Sequence, residues 1–272
     1  MPSDQDGLGG DQVEGRQAVA ELLRAGRRKV SDVWMAEGVD QAPILEEIMA
    51  EAERRRVPVR HTNRSALERE AATEAPQGVL AHASPLAEVD FDDLCRRPDR
   101  PAEGADDQAA APAAAPFLLA LDGVTDPRNV GALLRSADGA GATGAVLPRR
   151  RAAHVTPAVT KAAAGAIEHV AIAVVPGLPS ALARAKELGC WVVGLADDGD
   201  TSLFDLGLAT EPLVLVVGAE GDGMSRLARQ RCDVIVSIPM AGALPSLNVA
   251  AAGTLALYEV ARRRAREMNR GR

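Results

Sequence analysis

Six short apolar runs, separated for the most part by helical patterns, dominate the second half of this chain. They cover residues 117–121, 145–147, 170–175, 191–195, 213–217 and 234–238. Apolar residues at helical spacing fill the gaps at about 129–138, 157–166, 179–188 and 224–231, and a last helix is predicted over about 248–267. Strands that are apolar on both faces need cover on both sides. The alternation therefore predicts an α/β domain over 117–268, with a mainly parallel sheet between layers of helices. Aromatic residues are only 2% of the chain, so its core must be built from Val, Leu, Ile and Ala.

The first half reads differently. Residues 13–84 predict a small α/β unit. Val19, Leu22 and Leu23 lie at helical spacing before Gly26, residues 30–35 alternate as a strand, residues 44–56 read as a helix, and residues 57–59 and 78–83 are further strand candidates. Residues 1–12 are polar and acidic and predict a disordered tail, unlike a signal or transit peptide. Residues 85–116 predict a linker. Their stretch RRPDRPAEGADDQAAAPAAAP has almost no large apolar side chain to offset its ordering entropy.

Cys95, Cys190 and Cys232 are too far apart for a zinc pattern or a disulfide framework, which predicts a reducing, cytoplasmic setting. No apolar run is long enough to predict a membrane span. The net charge of -7 weighs against a general polyanion binder. Net charge sets only the long-range field, however, and arginines cluster at 54–56, 149–151 and 262–272. Each cluster, taken alone, reads as a solvated face.

Three segments at predicted strand ends carry chemistry. The first, LDGVTDPRNVGALLRSADGAG (121–141), places Asn129 as a helix N-cap with Arg135 two turns on, and Gly131 where another backbone can approach. The second, LVLVVGAEGDGMSRL (213–227), runs from a strand into Gly218, Glu220, Gly221 and Gly223, whose small size exposes backbone amides to a ligand. The third, IPMAGALPSLNVAAAGTLALYEV (238–260), passes from a strand through small residues to Ser246, Leu247 and Asn248 at the start of the last helix. Gly139, Gly141 and Gly144 spell the letters of a dinucleotide fingerprint. They close a helix and precede a strand, so they read as a cap and turn, and a nicotinamide enzyme is disfavoured. Asp197, Asp198 and Asp200 lack calcium-loop spacing and read as a solvated turn. The four histidines make no metal or triad pattern, and no metal is expected.

The order D-P-x-N-x-G-x-x-x-R, G-A-E-G-x-G, I-P-M-x-G-x-x-x-S-L-N-V resembles the SpoU (TrmH) branch of the SPOUT methyltransferases over about residues 117–263. The N-terminal stretch, with Val13-Glu14-Gly15 and Pro76-Gln77-Gly78, resembles that family's small substrate-binding domain. The resemblance implies a SPOUT-type sheet with a C-terminal trefoil knot, a small N-terminal α/β RNA-binding domain, S-adenosylmethionine as cofactor, and a homodimer with the last helix at its interface. It implies cofactor contacts at Gly218, Ile238, Met240 and Leu247, with Leu195 and Ala196 lining the same cavity. It implies catalytic or substrate-positioning roles for Asn129, Arg135, Glu220, Ser246 and Asn248, and RNA contacts at Glu14 and Arg16. The implied reaction is 2′-O-methylation of a guanosine in large-subunit ribosomal RNA. A transfer-RNA ribose methylase, an antibiotic-resistance methylase of the same large RNA, and a non-catalytic RNA-binding assembly factor are the alternatives. Pro245 and Ala250 stand where relatives often have Ser, which leaves Ser246 and Asn248 intact.

Overall fold

A computed structural model describes residues 7–39, 42–96, 115–150, 153–244 and 246–270. Most of the Pro/Ala-rich linker, the first half of the predicted tail, Arg151, Pro245 and Arg272 lie outside these residues.

In chain order the elements are β1 (Gln12–Glu14), α1 (Arg16–Ala25), β2 (Val30–Ala36), α2 (Pro43–Arg54), β3 (Val59–Thr62), α3 (Arg64–Glu70), β4 (Val79–Ala83) and α4 (Phe91–Cys95). They continue with β5 (Phe117–Asp122), α5 (Pro127–Gly139), β6 (Gly144–Pro148), α6 (Pro157–Ala162), β7 (Ile172–Val175), α7 (Leu178–Glu187) and β8 (Trp191–Leu195). The last are β9 (Thr201–Ser202), β10 (Leu213–Gly218), α8 (Arg226–Arg229), β11 (Val234–Ser237) and α9 (Val249–Arg270). Single 3-10 turns cover Ala166–Glu168 and Leu203–Asp205.

The chain packs as two compact units. One comprises residues 1–88, 125–138 and 153–171, and the other residues 89–124, 139–152 and 172–272. The boundary between small and large domains was expected in the linker. Instead α5 and α6, which follow the linker in sequence, pack with the N-terminal unit. Two contacts within that unit give the reason. A Cβ at Gly131 of α5 would lie under 3.0 Å from Ala162 and Ala163, so only glycine allows this approach of α5 to the end of α6. Arg28 and Glu168 form a fully buried ion pair at 3.1 Å, with Arg28 also donating to the carbonyls of Ser84 and Gly10.

The N-terminal unit holds a four-stranded sheet in the order β1-β4-β2-β3, antiparallel except for the β2–β3 pair. Val19, Leu22 and Leu23 of α1 and Leu45 and Ile48 of α2 pack with Val33, Met35, Val79 and Ala81 of the sheet. The predicted tail is shorter than expected. Leu8 is buried and pairs with Leu86, and Gly9 donates to the Val155 carbonyl at 2.7 Å. Residues 85–96 are also not linker. Asp90 caps α4, whose Leu94 and Cys95 are buried, and Asp92 pairs with Arg184 of α7 at 2.5 Å.

The second unit holds a seven-stranded sheet in the order β7-β6-β5-β10-β8-β11-β9, parallel at every neighbouring pair. All residues of β6 and β10, and the first five of β5, are buried. That is the burial expected of strands covered on both faces. Gly139 ends α5 and Gly144 begins β6, so the apparent dinucleotide fingerprint is a helix end and a turn. No described helix is long and apolar enough to cross a membrane.

Candidate active site

In a parallel sheet every strand delivers its following loop to the same edge, and ligands bind beyond those carboxyl ends. Here β8, β10 and β11 deliver three loops to a cavity of about 480 Å³. That volume lies within the roughly 300–1,000 Å³ of small-molecule pockets. Leu195 at the end of β8 and Ala196 after it line the cavity, as do Gly218 at the end of β10, Glu220 beyond it, and Ile238 and Met240 after β11. Ser246, Leu247 and Asn248 close it ahead of α9. Nine of the thirteen residues singled out from the sequence are thus gathered around one space, including all six expected at the cofactor.

Backbone geometry sets the shape of this cavity. Ala219 and Gly223 exchange hydrogen bonds, Ala219 N–H to Gly223 O at 2.9 Å and Gly223 N–H to Ala219 O at 3.0 Å. The loop after β10 is therefore pinned back on itself. A Cβ at Gly218 would sit under 3.0 Å from the backbone of Gly223 and Met224, so the fold has no room for any other residue there. Asp122 at the end of β5 accepts from Ser225 N–H at 2.6 Å, and Ser225 caps α8. Across the cavity Asn248 caps α9. Its Oδ1 accepts from Ala250 N–H at 2.9 Å and Ala251 N–H at 3.4 Å. Small side chains and turned backbone suit a cofactor held through main-chain groups, and this donor and acceptor set fits S-adenosylmethionine.

The lining also contains residues that the motifs did not single out. Asp197 and Asp198, read as a solvated turn, border the cavity. Asp198 is paired with Arg229 at 2.8 Å, and the hydrogen bond from that guanidinium holds its carboxyl below the usual carboxylate range. The pairing joins the loop after β8 to the end of α8. Nothing in the linear spacing of residues 198 and 229 announced it. Met224 and Ala252 complete the wall.

The other four candidates belong to the N-terminal unit. Asn129 is buried and Arg135 exposed on α5. Asn129 is not the N-cap that its place in the motif suggested. The helix starts two residues earlier at Pro127, and Asp126 accepts from Arg128 N–H at 2.9 Å. Proline at the first helical position loses no hydrogen bond and presets φ, which moves the start forward. Glu14, expected at RNA, is fully buried. Its carboxylate accepts from Ala72 N–H at 2.5 Å, Thr73 N–H at 3.1 Å and the Thr73 hydroxyl, so it holds the turn after α3. Arg16 is half-buried and donates from Nε to the Gln77 carbonyl at 3.1 Å. Among the described residues no cluster of His, Cys, Asp and Glu could hold a metal ion.

A model of the SpoU rRNA methylase family matches residues 116–258, and one of the RNA 2′-O ribose methyltransferase substrate-binding domain matches residues 12–89. The chain belongs to the SpoU methylase family. Its similarity to curated members spans nearly the whole molecule. The 23S rRNA (guanosine-2′-O-)-methyltransferase RlmB of Pseudomonas putida is 39% identical over 258 residues, covering 93% of this chain and 97% of the relative. RlmB of Pseudomonas aeruginosa is 39% identical over 259 residues, covering 93% and 97%. Among solved structures, the SpoU methyltransferase AviRb from Streptomyces viridochromogenes in complex with AdoMet is similar with a TM-score of 0.72 and 26% identity, covering 94% of this chain and 90% of that one. In SpoU terms, the first family model spans the seven-stranded sheet and its cavity, and the second spans the four-stranded sheet.

Proposed function

We infer that this chain is an S-adenosylmethionine-dependent RNA 2′-O-methyltransferase that modifies a guanosine of 23S ribosomal RNA. The observation that carries the reading is the convergence of the second and third motifs, with the loop after β8, on one cavity at the carboxyl ends of β8, β10 and β11. The identity with RlmB proteins over 93% of the chain supports the choice of RNA.

When bound, S-adenosylmethionine supplies a methyl group made electrophilic by its sulfonium. The chain's own residues must do the rest. Leu195, Ala196, Gly218, Ile238, Met240 and Leu247 hold the cofactor through backbone groups and apolar contact. Glu220, Ser246 and Asn248 on the same cavity order the polar network near the ribose. Arg135, supplied across the dimer interface, grips the phosphate next to the target ribose and orients the 2′ hydroxyl. A guanidinium stays protonated in proteins, so it serves as a clamp and electrostatic partner rather than as a proton acceptor. Asn129, nearly two turns earlier on α5, supports it. Fixing two reactants in place accounts for much of the acceleration in such a transfer.

The same reading makes the enzyme a homodimer. Leu255 and Tyr258 of α9 are 45% and 49% exposed, an apolar surface suited to a second copy. It also includes a trefoil knot in the segment that forms β10, β11 and α9. The free cysteines Cys95, Cys190 and Cys232 support a cytoplasmic enzyme.

The experiment is methyl transfer from labelled S-adenosylmethionine to unmodified 23S rRNA and, separately, to bulk transfer RNA, followed by nucleoside identification. The expected product is 2′-O-methylguanosine confined to 23S rRNA. Label in transfer RNA alone overturns the substrate. No label in either RNA, with cofactor binding intact, overturns the enzymatic reading.

A further inference from the structure

The last turns of α9 carry five arginines, and the structure separates them by what they hold. Arg264 is committed to the fold. It donates to the carbonyls of Ala209 at 2.9 Å, Glu211 at 2.7 Å and Pro116 at 3.0 Å, and lies 4.9 Å over the Phe117 ring. Arg262 and Arg263 share one carboxylate, Glu259, each at 2.7 Å. Arg263 also reaches the Phe204 carbonyl. Arg266 and Arg270 are exposed and make no hydrogen bond or ion pair among the described residues.

Arg262, Arg266 and Arg270 recur every four residues, so their side chains rise along one flank of the helix. That flank forms one wall of a groove of about 280 Å³, and Leu206, Gly207, Ala209 and Thr210 form the other. Four guanidiniums line the groove, while the carboxylates at hand are Glu267 in its wall and the shared Glu259. A net positive groove has thus been built on a chain whose overall charge is -7. Long-range attraction for a polyanion is weak in such a molecule, so contact with one must come from local charge.

We propose that this groove docks backbone phosphates of the substrate RNA. The proposal rests on the RNA-methylating reading above. The arginine fork matches phosphate geometry. One step of four residues advances about 6 Å along a helix, of the same order as the separation of neighbouring phosphates on a strand. Asn248 at the cavity and Arg266 in the groove are separated by about 27 Å of helix. The groove therefore takes RNA several nucleotides away from the methylated ribose. It adds affinity and register without touching the reacting atoms, and phosphate contacts of this kind position without reading sequence.

The test uses the full chain with Arg266→Gln/Arg270→Gln and, as the charge-conserving control, Arg266→Lys/Arg270→Lys. Affinity for transcribed 23S rRNA is measured between 50 and 200 mM salt, with S-adenosylmethionine affinity by calorimetry and mass by light scattering. The Gln pair should bind RNA about tenfold more weakly, with a salt slope shallower by roughly 1.4 to 1.8 for two lost phosphate contacts. Its cofactor affinity and mass should match the wild type, and the Lys pair should recover most of the RNA affinity. Unchanged RNA affinity and slope in the Gln pair overturn the proposal. So does a change of mass, which would make this flank a contact between copies, or a Lys pair as weak as the Gln pair. If the Gln pair loses RNA affinity but the wild type forms no 2′-O-methylguanosine, the functional reading fails and the groove stands. If the wild type methylates and the Gln pair binds normally, the groove fails and the function stands.

Discussion

The strand-end cavity and the arginine groove share one helix and are made of different materials. Asn248, Val249 and Ala252 bring the first turn of α9 to the cavity, and Arg262, Arg266 and Arg270 bring its last turns to the groove. The cavity owes its shape to glycines, small side chains and a loop locked by its own backbone hydrogen bonds. The groove is made of long charged side chains over an ordinary loop. A backbone-built site should fail when a single methyl group is added and be indifferent to salt. A site built of side chains should tolerate changes of bulk and fail when charge is removed.

The largest effect is expected at Arg135, which lines neither the cavity nor the groove and to which we assign the phosphate clamp. Arg135→Ala should lower turnover by about 10²- to 10³-fold, the usual cost of losing one preorganised charged contact in a transition state. Cofactor affinity, measured by calorimetry, should stay within a few-fold of the wild type. A parallel collapse of cofactor binding would remove Arg135 from the role given to it.

Gly218→Ala attacks the cavity through its backbone. The new Cβ would lie under 3.0 Å from Gly223 and Met224 backbone atoms, which cannot move without breaking the Ala219–Gly223 hydrogen bonds. Overpacking of this kind costs about 1–3 kcal/mol and occasionally more, so cofactor affinity should fall by about 100-fold while 23S rRNA still binds. An unaltered cofactor affinity would show that the loop after β10 is more compliant than its hydrogen bonds indicate. Asn248→Ala is the milder probe of the same wall. Loss of the α9 cap should cost about 1 kcal/mol of stability, and Asn248→Asp, which keeps an acceptor for Ala250 N–H, should melt like the wild type. If both variants melt normally but both lose turnover, Asn248 acts on the substrate and not through the helix.

The cavity was legible in the sequence because its chemistry sits at strand ends, where an apolar run meets glycine or a capping residue. The periodicity located all six long strands of the parallel sheet. The elements that escaped it have little apolar content of their own. In α3 Leu67 is the single buried residue, and α4 is little more than one turn anchored by Leu94 and Cys95. The first half-turn of α5 was misplaced because Asn129 is as good a cap by type as Asp126, and only Pro127 between them decides. Glu14 looked available to RNA because sequence does not reveal that residues 72 and 73 return to cover it. The groove was hidden for the same reason. Its arginines read as a solvated face until residues 206–210, more than fifty positions upstream, supply the opposite wall.

The finest test of the comparison is Glu259, which lines neither the cavity nor the groove but offsets the groove's charge through Arg262 and Arg263. Its carboxylate is only 7% exposed and is held below the ordinary glutamate range first by Arg262 and then by Arg263. A carboxyl depressed on folding contributes stability above its unfolded pKa, about 4.3 for glutamate, and that contribution is lost as pH falls through the lower folded value. Glu259→Gln should therefore reduce Tm by roughly 2–4 °C, on the order of 1 kcal/mol for a chain of this size, at any pH from 5 to 8. Below about pH 4 the two melting curves should converge, because the wild type loses the same charge. The substitution also frees Arg262 and Arg263 from their shared partner. Affinity for 23S rRNA should rise and its salt dependence steepen even as the fold weakens. A variant that loses stability and RNA affinity together would mean that Glu259 positions the arginines for RNA, so that their placement outweighs the charge it removes from them.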